Sequence, residues 1–223
     1  MPSAADTRAL LFDLDGTLVD SAPDLAGAAN DLRADRGLPA LPLAVLRPMV
    51  GAGARGMVGA AFGVAPGEPG FDGLRDAFLA RYTERLLQDT RVFDGIGAVL
   101  DTLAARGLPW GVVTNKATRF AEPLLGGLGL LPGCAVLVCG DTTPHAKPHP
   151  APLLEAARRL AVAPARCVYV GDDLRDVQAG RAAGMGVLVA GWGYLGQGEP
   201  AGAWGADDVL AEPEALLNWL HLP

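Results

Sequence analysis

The chain has 223 residues, half of them hydrophobic and 19% charged, which suits one large packed domain or a core domain plus a small one and argues against disorder. A formal net charge of −7 argues against a general nucleic-acid surface, and three cysteines are too few for a disulfide framework. Cys134, Cys139 and Cys167 lie in or beside apolar runs with no metal-ligand spacing, and neither a leader pattern nor an apolar run of membrane-spanning length is evident, so the expectation is a cytoplasmic protein with no membrane partner.

In chain order, a first strand is expected over Arg8 to Asp13 and a helix from about Pro23 to Arg36, with Gly37 where a terminating glycine belongs. Further helical pieces are expected over Leu43 to Val50, Ala54 to Phe62 and Leu74 to Leu87, with a Pro- and Gly-rich loop at Ala65 to Gly70. Residues 18 to 90 therefore read as helical, without a strand pattern. Beyond Val92 the texture alternates. Strands are expected at Trp110 to Thr114, Ala135 to Cys139, Cys167 to Val170, Gly186 to Ala190 and Asp208 to Leu210. Helices are expected at Gly95 to Arg106, Arg119 to Leu128, Pro150 to Ala161, Leu174 to Ala183 and Pro213 to Leu220. Such alternation indicates an α/β fold with a doubly wound parallel sheet. The simplest organisation is a core of residues 1–17 and 91–223, interrupted after its first strand by a helical insert of residues 18–90.

The polar groups fall just after the core strands. Asp13 and Asp15 close the apolar run Ala9-Leu10-Leu11-Phe12, and Gly16 turns the chain there. Two carboxylates two residues apart on a strand share a face, and they repel unless a cation joins them or one holds a proton. The pair fits a Mg²⁺ site, a nucleophile with its acid/base, or both; a polar turn closing a strand uses the same residue types. Thr114, Asn115 and Lys116 follow the second core strand, Asp141 to Lys147 the third, and Gly171, Asp172, Asp173 and Asp176 the fourth. Each alone has a plain structural explanation: a helix cap for Asn115, a solvated loop for Lys147, a turn for Gly171-Asp172-Asp173. In a parallel sheet, however, these strand ends open onto one edge. Several carboxylates, a hydroxyl and one or two lysines gathered there suit Mg²⁺-dependent phosphoryl transfer, because Mg²⁺ takes hard oxygen ligands and phosphate oxygens.

Together, Asp13-Leu14-Asp15-Gly16-Thr17, Thr114-Asn115, Lys147-Pro148 and Gly171-Asp172-Asp173-Leu174-Arg175-Asp176 resemble the haloacid dehalogenase superfamily of aspartyl phosphatases. The resemblance spans nearly the whole chain. It implies a Rossmann-like core with a helical cap inserted after the first strand, hinged near Val19 to Ser21 and Gln88 to Val92. It implies Asp13 as nucleophile, Asp15 as general acid and base, Thr114 as phosphate holder and Lys147 as the charge-neutralising cation. Mg²⁺ would be held by Asp13, Asp172 and the main-chain carbonyl of Asp15, with Asp173 and Asp176 in support. Asp15 points to phosphate chemistry, since members that cleave carbon–halogen bonds need no leaving-group acid.

Gly51-Ala52-Gly53-Ala54-Arg55-Gly56 matches a dinucleotide fingerprint but follows a helical region containing Pro48, so it is expected instead as a loop of the cap facing substrate, with Arg55 available to an anion. The broad resemblance is to the phosphoglycolate phosphatase group. It implies 2-phosphoglycolate or a related carboxylated sugar phosphate as substrate, contacted by Thr114, Asn115, Lys116 and Arg55, in a monomer or homodimer. Gly53 to Val58, Trp110 to Lys116, Arg119 to Pro123 and Trp204-Gly205-Ala206 look closer to N-acetylmuramic acid 6-phosphate phosphatase of cell-wall recycling. A phosphomutase of the same superfamily is a further alternative.

Overall fold

A computed structural model describes residues 6–222. The first strand, β1 (Ala9–Phe12), lies in the middle of a six-stranded parallel sheet. Its neighbours are β4 (Trp110–Val113) and β6 (Cys167–Gly171), with β5 (Val136–Val138) outside β4. On the other side β7 (Gly186–Ala190) and β8 (Asp208–Leu210) follow β6, giving the order β5-β4-β1-β6-β7-β8. Chain progression reverses at β1, the kind of switch point at which open α/β sheets hold ligands beyond their carboxyl ends.

Both faces of the sheet are covered, as its continuous apolar strands require. Leu10 and Phe12 pack to one side with Val112 and Val170, beneath α5 (Ile96–Ala105), α6 (Thr118–Gly127) and α9 (Ala215–Trp219). Ala9 and Leu11 pack to the other with Val113, beneath α7 (Ala151–Leu160) and α8 (Leu174–Ala182). Adjacent residues of one strand thus fill opposite cores, and truncating a fully buried one such as Leu11 to Ala would cost about 2–5 kcal/mol. Cys139 and Cys167 are buried, Cys134 is half-buried, and all three are free thiols. Among the described residues no helix is long and apolar enough to cross a membrane.

Between β1 and β4 the chain makes α1 (Ala22–Ala34), α2 (Leu43–Leu46), α3 (Gly53–Phe62) and α4 (Phe71–Arg85). These helices enclose their own apolar cluster around Ala29, Met57, Phe78 and Tyr82, into which Phe120 and Tyr194 of the α/β part also pack. The helix expected over Leu43 to Val50 is instead one short α-helix followed by a tighter 3₁₀ segment, Arg47–Ala52, with Pro48 at its start. The expectation of no strand among residues 18 to 90 also needs correction. Val19–Asp20 (β2) pairs antiparallel with Arg91–Val92 (β3), joining the two chain crossings of the insert. Two residues carry too little periodicity to register as a strand. The buried Asp24 carboxylate reinforces the crossing by accepting from Asp89 N (2.9 Å), Thr90 N (3.0 Å) and Thr90 Oγ1 (2.6 Å).

Candidate active site

The ends of β1, β4 and β6 bring together the groups that the sequence separates by more than a hundred residues. Asp13 follows β1, and its N–H donates to Val170 O of β6 at 2.8 Å, fixing where its side chain emerges. Gly16 makes the following turn at φ +87°; a Cβ there would overlap the Asp172 carboxylate and the Tyr194 ring, so only glycine lets this loop lie so close to β6.

Lys147 is the buried cation of the cluster. Its Nζ reaches Val113 O (3.1 Å), Tyr169 Oη (2.6 Å) and Asp176 Oδ1 (2.7 Å), and Asp13 Oδ1 is 2.8 Å away. An ammonium has three N–H donors, and the first three partners engage them. Asp13 Oδ1 therefore has a charge neighbour but no hydrogen-bond donor, although it is buried. Burial by itself would lower the Lys147 pKa; Asp13 and Asp176 outweigh it, and the pKa is raised. Asn115 sets the backbone of this lysine. Its Nδ2 donates to Lys147 O (3.0 Å) and its Oδ1 accepts from Lys147 N (2.9 Å).

Asp13, Asp172 and Asp176 place carboxylate oxygens within 4.8 Å of one another. Asp172 is buried, accepting from Thr17 Oγ1 (3.1 Å) and Tyr194 N (2.8 Å). Burial, then Asp13 and Asp176, drive its pKa well above the usual carboxylate range. Burial, with Asp176 and Asp15 adding to it and Lys147 opposing, raises Asp13 to about 6. Three carboxylates crowd around one ammonium, and one carboxylate oxygen lacks a donor. A hard divalent cation fits this set, since it would balance the two excess charges and take oxygen ligands. Asp15 is not in this cluster by its side chain, which leaves only its main-chain carbonyl for such a role.

The Asp15 carboxylate is held on the other side of the loop. Lys116 Nζ lies 2.9 and 3.1 Å from its two oxygens, and Ser21 Oγ donates to it. Lys116 is also over the Tyr82 ring, 4.7 Å from its centroid. Burial would lower the Lys116 pKa, but Asp15 outweighs it and raises it. Thr114 is buried. Its Oγ1 accepts from Lys116 N at 3.1 Å, which leaves its own proton available to a ligand oxygen.

Asp173 and Asp176 part company. Asp173 starts α8: its Oδ1 accepts from Arg175 N (2.9 Å), while Asp176 Oδ2 accepts from Asp173 N (3.1 Å), a reciprocal cap. Arg175 pairs with Asp173 at 2.8 Å and donates to Gly51 O in the insert, so the Gly51 to Gly56 segment meets the fourth strand-end loop through Gly51.

These groups border a cavity of about 230 Å³ between the sheet edge and the insert. Asp13, Asp15, Thr114, Asn115, Lys116, Lys147, Asp172, Asp173 and Asp176 all line it, and Leu25, Phe78 and Phe120 form an apolar wall. Arg55, expected at the substrate, is exposed on α3 and is not part of the lining. Arg119, which the sequence offers beside Arg55 and Lys116 as a partner for a substrate carboxylate, does border the cavity, whereas Tyr169, Ser21 and Tyr194 have no role in the sequence reading. Tyr194 lies in the loop after β7, on the same sheet edge as the other groups, so the strand-end rule applied once more finds it. Tyr169 reads as one more apolar strand residue, and nothing local marks its hydroxyl as the partner of Lys147.

A family model described as haloacid dehalogenase-like hydrolase matches residues 7–184. The chain is 47% identical over 210 residues to a phosphoglycolate phosphatase of Xanthomonas campestris pv. campestris, covering 94% of each chain. It is 43% identical over 213 residues to an N-acetylmuramic acid 6-phosphate phosphatase of Pseudomonas aeruginosa, covering 96% of this chain and 94% of the relative. The crystal structure of a predicted phosphoglycolate phosphatase from Haemophilus somnus 129PT superposes with a TM-score of 0.84 at 29% identity, covering 95% and 97% of the two chains.

Proposed function

The chain belongs to the haloacid dehalogenase-like hydrolase family and is a phosphatase, and on that premise we propose a Mg²⁺-dependent phosphomonoesterase working through an aspartyl-phosphate on Asp13. The observation that carries the reading is the Asp13–Lys147–Asp172–Asp176 cluster at the sheet edge. Residues 18–90 act as a cap over a catalytic core of residues 1–17 and 91–223. Bound between Asp13, Asp172 and the main-chain carbonyl of Asp15, Mg²⁺ would supply charge neutralisation for the phosphoryl oxygens.

The chain's own groups do the rest. A carboxylate oxygen of Asp13 attacks phosphorus as the ester P–O bond breaks. Asp15 gives its proton to the departing oxygen, then takes one from the water that attacks the aspartyl-phosphate, releasing phosphate and restoring Asp13. Thr114 donates its hydroxyl to a phosphoryl oxygen, and Lys147 offsets the charge gathered on Asp13. Asn115 acts one step back, by holding the Lys147 backbone.

A cavity of about 230 Å³ is small for a ligand site and favours a small carboxylated substrate such as 2-phosphoglycolate. The apolar wall of Leu25, Phe78 and Phe120 favours a second reading, N-acetylmuramic acid 6-phosphate, whose methyl groups could cover it. Phosphate release from both compounds, with Mg²⁺ and with EDTA, tests the proposal, using Asp13→Asn as the blank. We expect Mg²⁺-dependent turnover that the variant lowers to below about a thousandth. Undiminished turnover in EDTA, or by the purified variant, would overturn it.

A further inference from the structure

Four cations line the cavity: Lys116, Arg119, Lys147 and Arg175. Three are committed within the protein. Lys116 holds Asp15, Lys147 holds Asp13 and Asp176, and Arg175 holds Asp173 and Gly51 O. Arg119 differs. Among the described residues it forms no ion pair and no hydrogen bond; its contact is the Phe120 ring, 4.6 Å from guanidinium carbon to centroid. Asp141 feels its charge, but that carboxylate is engaged by Thr118 N (3.0 Å) and the Thr118 hydroxyl (2.5 Å). The first turn of α6, on which Arg119 stands, carries no acid of its own.

We propose that Arg119 is the specificity-determining residue that receives the carboxylate of the substrate while its phosphate lies at Asp13 and Thr114. The inference rests on the carboxylated-phosphomonoester reading above. A guanidinium offers a fork of N–H donors that matches both oxygens of a carboxylate. Arg119 and Thr114 also belong to one short connection, from the end of β4 into α6. The backbones that carry the phosphate donor and the carboxylate donor are thereby held at a fixed spacing within the α/β part, not on the insert. Arg55 and Arg119 are both exposed arginines, but Arg55 stands on the insert outside the cavity lining and has neither the position nor the link to Thr114. The proton on a substrate alcohol or amide would serve Arg119 poorly, because it has donors and no acceptor.

The test compares substrates that differ by the carboxylate: 2-phosphoglycolate against ethyl phosphate, and N-acetylmuramic acid 6-phosphate against N-acetylglucosamine 6-phosphate. The ratio of kcat/KM within each pair is measured for wild type, Arg119→Gln and Arg119→Lys, with thermal melts of each. Losing a charge-assisted bidentate contact should lower the ratio about ten- to a hundredfold in Arg119→Gln, mainly through KM. Arg119→Lys should recover part of it, as a point charge without the fork. A wild-type preference for the carboxylated compound that survives Arg119→Gln overturns this inference and leaves the proposed function standing. A wild-type ratio near one in both pairs overturns the carboxylate reading and the inference together. An equal fall for both members of a pair, through kcat, assigns Arg119 to something other than specificity and also overturns it.

Discussion

Removing the charge of Asp13 should stabilise the metal-free protein at neutral pH while destroying its activity. In the folded chain Asp13 titrates near 6, chiefly because of burial, against about 3.9 in an unfolded chain. The folded state therefore binds this proton more tightly than the unfolded state. Below about pH 4 both states are protonated and the group is neutral to stability. As pH rises from about 4 to about 6 the unfolded state loses its proton first, so stability falls; above that range the whole penalty is present. The difference of about 2 pH units corresponds to about 3 kcal/mol, an upper figure because 13% of the side chain still meets solvent. The attraction of Lys147 is already included in that shift. Urea unfolding of wild type and Asp13→Asn in EDTA, at intervals from pH 4 to pH 8, checks it. The variant should match wild type near pH 4 and exceed it by up to about 3 kcal/mol at pH 7 to 8. Mg²⁺ at a hundred times its Kd should then add about 2.7 kcal/mol to wild type and less to the variant. A variant less stable than wild type at pH 8, or a difference that does not grow with pH, would refute the claim that these carboxylates are crowded without a cation.

Asn115→Ala removes both side-chain bonds to the Lys147 backbone. It should cost about 1–3 kcal/mol of stability and lower kcat about tenfold or more with a smaller change in KM; steady-state kinetics beside a urea titration would show it. Tyr169→Phe removes the Lys147 acceptor at 2.6 Å together with the bond that the hydroxyl donates to Val113 O, and leaves that Lys147 N–H to turn to Asp13 Oδ1, 2.8 Å from Nζ. A loss of about 1–3 kcal/mol is expected, together with a lower kcat, and a variant equal to wild type in both melting and turnover would remove Tyr169 from the site.

The motif-bearing loops were legible because each follows an apolar run. Leu10 and Leu11, or Val112 and Val113, have no polar alternation, which marks strands covered on both faces, and strands of that kind sit in parallel sheets whose ends converge. Asp13, Asp15, Thr114, Lys147 and Asp172 could therefore be placed on one edge without coordinates. The pairing of β2 with β3 was not legible, since two residues per strand leave no pattern. Nor was the division of labour between Asp173 and Asp176, which are three residues apart at the same helix start: Asp173 serves only the α8 cap and Arg175, while Asp176 completes that cap with one oxygen and holds Lys147 with the other.

Spacing along the chain reports local geometry and periodicity, and these were sufficient for the doubly wound sheet, the helical insert after its first strand and the acidic strand ends. Which cation meets which carboxylate depends on contacts across more than a hundred residues, such as Lys116 with Asp15, and only the packed structure decides them. Arg55 and Arg119 look alike as sequence and both are exposed; the placement of their helices puts one outside the cavity and leaves the other on its wall, without a partner carboxylate among the described residues.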